Sequence, residues 1–218
     1  MTRHPTSIKT LIEEYEKRKP QIKERLEEFS RVHKGKDEDI FQELGFCILT
    51  ANANALQCDK AIKELRATGL LFKGNAHQIW PKLRGRVRFH NKKASFIVEA
   101  RKLFKKGDKI DLKKKLDFKD VFKLREWLVE NIKGYGYKEA SHFLRNIGLG
   151  REIAILDRHI LKNLHKYGVI DKIPDSVGAR KVYLDIEDKM RRFSKKTGIP
   201  LDEMDLLFWS MQTGFIFK

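Results

Sequence analysis

Ile132-Lys133-Gly134-Tyr135-Gly136-Tyr137-Lys138-Glu139-Ala140 joins two helical patterns in the second half of the chain. Before it, Val121 to Asn131 reads as an apolar helix; after it, a second helix is expected to start near Tyr137 and stop at Gly148. Gly134 and Gly136, one residue apart, free two backbone positions from Cβ clashes and allow positive φ. They also let the turn approach another backbone closely. The first amides of the second helix lack intrahelical partners and carry partial positive charge, which suits a phosphate. A helix-hairpin-helix of this kind grips a nucleic-acid backbone without reading bases, through Gly134, Gly136 and the adjacent Lys133. The same spacing also serves as a plain tight turn.

Lys138 falls on the first turn of the second helix, at the mouth of the hairpin. The positive helix end and burial both disfavour a charged lysine there, leaving neutral amine to act as a nucleophile. Asp157 follows the apolar run Ile153-Ala154-Ile155-Leu156 and precedes the helical pattern Ile160, Leu161, Leu164, Tyr167, the place of an N-cap. Taken singly, a solvated lysine and an ordinary cap describe the two residues equally well.

Together, Ile132 to Ala140 and the downstream Leu156-Asp157-Arg158-His159 resemble the HhH-GPD superfamily of base-excision DNA glycosylases. In that superfamily the hairpin lysine is the Schiff-base nucleophile and the aspartate the essential carboxylate, which implies catalytic roles for Lys138 and Asp157. Two further stretches are similar to the archaeal and bacterial 8-oxoguanine DNA glycosylase/AP lyase branch: Ile48-Leu49-Thr50-Ala51-Asn52-Ala53-Asn54-Ala55, and Asp205-Leu206-Leu207-Phe208-Trp209 through Lys218. The resemblance therefore spans most of the chain. It implies that Asn52 contacts the base orphaned by flipping, and that Lys218 serves lesion recognition. It also implies a monovalent cation on the carbonyls of Ile132 and Tyr135, with no catalytic metal and no organic cofactor.

The charge balance points the same way. Lys plus Arg number 47 against 30 Asp plus Glu, a formal charge of +17 that attracts polyanions and makes DNA or RNA the first expected partner. Cys47 and Cys58 are the two cysteines, both in apolar helical context, and are expected as buried free thiols in a reducing compartment. The four clustered cysteines of an iron–sulfur site are absent from the sequence. No hydrophobic run approaches a membrane span and no signal peptide precedes the first helix, so a soluble, cytoplasmic monomer is expected.

In chain order, residues 7–34 read as helix, with Pro20 breaking the pattern or beginning a second helix. A long apolar helix from about Asp39 to Ala51 is interrupted by Asn52 and Asn54, which also suit a turn or cap. Residues 80–107 are strongly basic: Arg84, Arg86, Arg88, Lys92, Lys93, Arg101, Lys102, Lys105 and Lys106 are interleaved with Phe89, Phe96 and Phe104. Basic residues around an aromatic suit a nucleic-acid cleft, with a base stacked on Phe89 as one reading and a charged loop with a buried anchor as the other. His142, His159 and His165 do not make a metal site by spacing, and surface or supporting roles are expected for them. Beyond Pro174 a helix is expected from Ser176 or Val177 through Arg192, with Val182, Ile186 and Met190 as its apolar stripe and Tyr183 and Phe193 beside it, followed by a last helix from Leu201 to Thr213. The apolar end, Phe215-Ile216-Phe217-Lys218, should dock on the body and bring its carboxylate and Trp209 to a purine.

The expected fold is all-α, with two helical lobes around a basic cleft. Residues 1–35 and 170–218 form one lobe; 36–169 form the other, with the helix-hairpin-helix at 121–148. The expected function is a bifunctional glycosylase/AP lyase that flips 8-oxoguanine out of double-stranded DNA. The alternatives are a related glycosylase for another lesion, such as an oxidised pyrimidine, and a helix-hairpin-helix module that binds DNA without chemistry.

Overall fold

Ser7 opens the first helix: its Oγ accepts from the Lys9 amide at 3.2 Å and caps a helix of 27 residues, α1 (Ile8–Lys34). The computed structural model describes residues 7–218; residues 1–6 of the expected first lobe lie outside it. α1 runs straight through Pro20 instead of stopping there. One missing amide is tolerated because Leu11, Tyr15, Ile22 and Phe29 all bury on the same side.

Ten further helices follow among the described residues: α2 (Asp37–Thr50), α3 (Ala55–Ala67), α4 (Leu70–Lys73), α5 (Ala76–Leu83), α6 (His90–Phe104), α7 (Val121–Asn131), α8 (Tyr137–Asn146), α9 (Arg158–Lys166), α10 (Arg180–Thr197) and α11 (Leu201–Thr213). The only pairing of strands among the described residues is an antiparallel ribbon of β1 (Lys105–Lys106) and β2 (Lys109–Ile110) between α6 and α7. The fold is all-α, as the helical periodicities require.

Two apolar cores organise the helices. One gathers α2 with α3 to α8, around Phe41, Phe46, Ile97, Phe104 and Phe143. The other gathers α1 with α9, α10 and α11, around Tyr15, Ile160, Leu164, Tyr183, Met190 and Phe208. α2 lies so deep that every residue from Ile40 to Thr50 except Gln42 is buried. α10 differs from expectation at both ends and, in its apolar face, at Val182. It starts at Arg180 and runs to Thr197, where Gly198 at φ 73° ends it. Tyr183, Ile186, Met190 and Phe193 are its buried stripe, and Val182 is exposed.

The hairpin between α7 and α8 needs only one special backbone. Gly134 sits at φ 87°, and a Cβ there would come within 2.7 Å of the Phe96 ring. Gly136 is extended, with φ −110°, a conformation open to any residue. A Cβ on Gly136 would meet nothing closer than the Glu139 carboxylate at 3.5 Å, so the packing of the protein itself does not demand a glycine there.

Candidate active site

A cleft of about 1280 Å³ opens between the two cores, lined by residues from both. α8 presents one wall. Lys138, His142 and Arg145 recur at helical spacing and all three reach the cleft. Lys138 stands on the first turn of α8, its side chain 21% exposed, with Glu139 Oε1 3.7 Å from its ammonium. Glu139 is itself held in place, since its Oε2 accepts from the Gly136 amide at 3.2 Å.

Asp157 faces the same cleft from the start of α9. It is the helix cap that its position suggested: Oδ1 accepts from the amides of His159 at 2.7 Å and Ile160 at 2.9 Å. Both bonds go to one oxygen. The chain leading to it is strapped from behind by α10. Tyr183 donates to the Ala154 carbonyl at 2.7 Å and accepts from the Leu156 amide at 3.2 Å. Glu187 accepts from the Ala154 amide at 2.8 Å and is gripped by Arg125 at 2.6 and 3.0 Å. Arg125 and Glu187 are both buried, and Arg125 also donates to Ser141 at 3.3 Å.

α11 supplies the floor. Asp205 and Trp209, one helical turn apart, both line the cleft. Asp205 is buried with Arg145 3.5 Å away. Burial drives the Asp205 carboxyl up to about 7; Arg145 pulls it down against that rise and Asp157 adds to it. His142 is also buried, edge-on to Phe46. Burial, with Arg145 adjoining, holds its imidazole well below the usual range, so the ring is neutral.

The chain end folds back to the cleft. Trp209, Phe215 and Phe217 form one aromatic cluster, with centroids 5.2 to 6.1 Å apart. The Lys218 ammonium lies 2.8 Å from Glu43 and 2.9 Å from Asp59, over the Phe46 ring at 4.5 Å. Burial opposes its charge, but Glu43 and Asp59 outweigh that and keep Lys218 above the ordinary lysine range.

Matching this chain against known families finds the one described as 8-oxoguanine DNA glycosylase (Ogg-HhH), over residues 22–199. The chain belongs to the 8-oxoguanine DNA glycosylase family. It is 47% identical over 206 residues to the 8-oxoguanine DNA glycosylase/AP lyase of Fusobacterium nucleatum, covering 94% of each chain. Its fold matches the crystal structure of the 8-oxoguanine DNA glycosylase of Thermotoga maritima with a TM-score of 0.86 and 39% identity, covering 97% of this chain and 98% of that one. It also matches Methanocaldococcus jannaschii 8-oxoguanine glycosylase/lyase in complex with a 15mer DNA containing 8-oxoguanine: TM-score 0.84, 37% identity, 96% of this chain and 100% of that one.

In this glycosylase-family chain the structure brings Lys138, Asp157, Gly136, Asn52, Trp209 and Lys218 to one cleft, along with Arg86 and Arg88. Asn52 is exposed there at φ 53°. Phe89 is not part of that lining: it is 56% exposed, beside the Arg88 guanidinium. Lys133 is exposed at the hairpin and paired with Glu99 at 2.7 Å. The Ile132 carbonyl accepts from the Tyr135 amide at 3.1 Å. Two cations of the basic stretch are not available to a phosphate. Lys93 and Arg101 are buried and spend their donors on backbone carbonyls, Arg101 on Leu70, Leu71 and Gly74. The expectation of a surface role for His142 gives way to its burial in the cleft wall.

Asp205, Arg145 and Glu43 were not singled out by the sequence as site residues, and His142 was expected only in a surface or supporting role. The signal was present for three of the four: Arg145 and His142 repeat the helical spacing of Lys138, and Asp205 lies one turn before Trp209. What hid them is that a polar residue at such a position reads as solvated until the partner elements are placed.

Proposed function

We propose that this chain is a bifunctional DNA glycosylase that removes 8-oxoguanine from double-stranded DNA and cleaves the strand at the resulting abasic site. The observation that carries the reading is the convergence of Lys138 and Asp157, from two different helix starts, on one cleft of a chain in this family. The reacting nucleotide leaves the stack, because C1′ cannot be reached within the duplex. Lys138, once its ammonium has given up a proton, attacks C1′ as the bond from C1′ to the base breaks, and the base departs with the bonding electrons and takes up a proton. Asp157, with one oxygen uncommitted to the helix amides, stabilises the positive charge that builds on the sugar. Loss of a proton from nitrogen and opening of the ring give an imine between Lys138 and C1′. Removal of a C2′ proton then expels the 3′ phosphate, and water hydrolyses the imine to free the lysine.

Gly134, Gly136 and Lys133 are assigned to the DNA backbone. The absence of any close neighbour at Gly136 supports this, because a main-chain approach explains what internal packing does not. Ile132 and Tyr135 are assigned to a monovalent cation, which would add positive charge beside a phosphate. The Ile132 oxygen keeps a second lone pair beyond its bond to Tyr135. Asn52 is assigned to the orphaned base, Trp209 and Lys218 to the lesion, and Phe89 to DNA outside the cleft proper. The two lobes belong to the same reading: the two cores support them, with α9 packing on the side of the chain ends. Action as a monomer belongs to the same reading. No described helix is long and apolar enough to cross a membrane.

Incubation with an 8-oxoguanine duplex and borohydride tests the reading. The wild-type chain should become covalently trapped, and Lys138→Gln should bind the duplex without trapping. Trapping by Lys138→Gln would assign the chemistry to another amine.

A further inference from the structure

Among the described residues, two carry a β-carbon and yet sit at positive φ: Asn52 at 53° and Phe89 at 56°. Such positions persist only where the surroundings hold them. Lys93, on α6, touches both turns. Its ammonium is buried and donates to the Leu49 carbonyl at 2.8 Å and the Ala51 carbonyl at 2.5 Å. Its backbone amide donates to the Phe89 carbonyl at 3.0 Å, which fixes where the side chain starts.

The bond to Ala51 bears directly on Asn52. Thr50 to Ala53 close a turn through the Ala53 amide and the Thr50 carbonyl at 3.1 Å. Ala51 has φ −55° and ψ 113°, and Asn52 follows at φ 53°, the pattern of a type II turn. A type I turn keeps the same closing bond but turns the central peptide over and puts its second central residue at negative φ. The Ala51 carbonyl belongs to that central peptide. An ammonium held on it selects one of the two turns, and so sets the direction in which the Asn52 side chain leaves the backbone.

Lys93 is not among the residues lining the cleft. The titratable and charged groups around it are Cys58 on α3, Glu139 and Lys138 on α8, and Arg88 before α6. Cys58 also donates to Leu49, at 3.1 Å, but a thiol is a weak donor, and Lys93 brings the charge. Burial lowers Lys93 to about 8, so the ammonium is the main form at neutral pH.

We propose that Lys93 is a positioning residue that locks the Ala51–Asn52 peptide in its type II orientation and so pre-sets Asn52 toward the cleft before DNA arrives. This rests on the glycosylase reading above, in which Asn52 occupies the space beside the flipped nucleotide in a duplex. A single strand has no such space to fill, and that difference supplies the test.

Cleavage at an abasic site is compared in duplex and in single-stranded oligonucleotide. Lys93→Met keeps the length of the side chain and removes its donors. It should slow duplex cleavage roughly ten- to a hundredfold, the scale set by displacing a group away from the chemistry. The single strand should be cleaved at close to the wild-type rate, and Lys93→Arg should recover most of the duplex rate. In an Asn52→Gly background, which removes the side chain and relaxes the turn, adding Lys93→Met should cost nothing further. Equal loss on both substrates, an unchanged duplex rate, or the full penalty of Lys93→Met in the glycine background would overturn the proposal. A wild-type chain that cleaves the abasic duplex but leaves 8-oxoguanine in place would instead overturn the substrate reading, with the Lys93 comparison still decided.

Discussion

Tyr183→Phe tests the strap behind Asp157. The Tyr183 hydroxyl bonds two backbone groups, the Ala154 carbonyl at 2.7 Å and the Leu156 amide at 3.2 Å, and the ring is fully buried. Phenylalanine fills the same volume, so no cavity term enters. What changes is that two buried polar groups lose their partner, at about 1–3 kcal/mol each. In a chain of this size that lowers the melting temperature by roughly 4–24 °C. The Ala154 amide stays on Glu187, so the segment should loosen without unfolding. Asp157 then sits on a less constrained backbone, and turnover should fall by about tenfold to a hundredfold with duplex affinity retained. Single-turnover excision and a binding titration at matched salt separate the two effects. A variant that melts early yet excises at the wild-type rate would refute the claim that this strap places Asp157.

Asp157→Asn should reduce excision far beyond what a lost cap explains, since a cap is worth about 1 kcal/mol; a variant with a lowered melting temperature and normal turnover would make Asp157 structural. Asp205, raised to about 7, binds a proton in the folded state that the unfolded chain releases near pH ~3.9. Stability from this group therefore falls as pH rises between those values and is level above them. Asp205→Asn should remove that slope, and a constant stability difference between the two proteins from pH 4 to 8 would contradict the assignment. Lys218→Met should destabilise the fold by roughly 3–5 kcal/mol, because it leaves Glu43 buried without a cation, while Asp59 keeps Lys63 at 2.6 Å. An unchanged denaturant midpoint would show that the tail is held by Phe215 and Phe217 alone.

Lys218 combines a local signal with a contact that only the packed helices create. The apolar tail announced docking, and the tail does dock. That its ammonium would be shared by two carboxylates on α2 and α3 depends on helices far away in the chain, and the tail carries stability as well as the proposed recognition. Pro20 shows the opposite case. Local chemistry argues for a break, and a continuous buried face across α1 overrides it. Gly134 and Gly136 look alike in sequence, yet only Gly134 meets another part of the protein at the distance where a Cβ would clash.

What the sequence alone determined are the features with a local cause. Helical periodicity set the all-α class, the capping position of Asp157 followed from the apolar run before it and the helix after it, and the hairpin announced itself through Gly134 and Lys138. The surplus of 47 basic over 30 acidic residues announced an anionic partner. Tertiary structure alone decided which polar residues were taken out of water. Asp205, His142, Arg145 and Lys93 are indistinguishable in sequence from surface residues, and each is buried because distant helices close over it. Burial is a property of the packed assembly of helices and not of any stretch of chain, and it is burial that moves a carboxyl to about 7 and turns a lysine into a clamp on a turn.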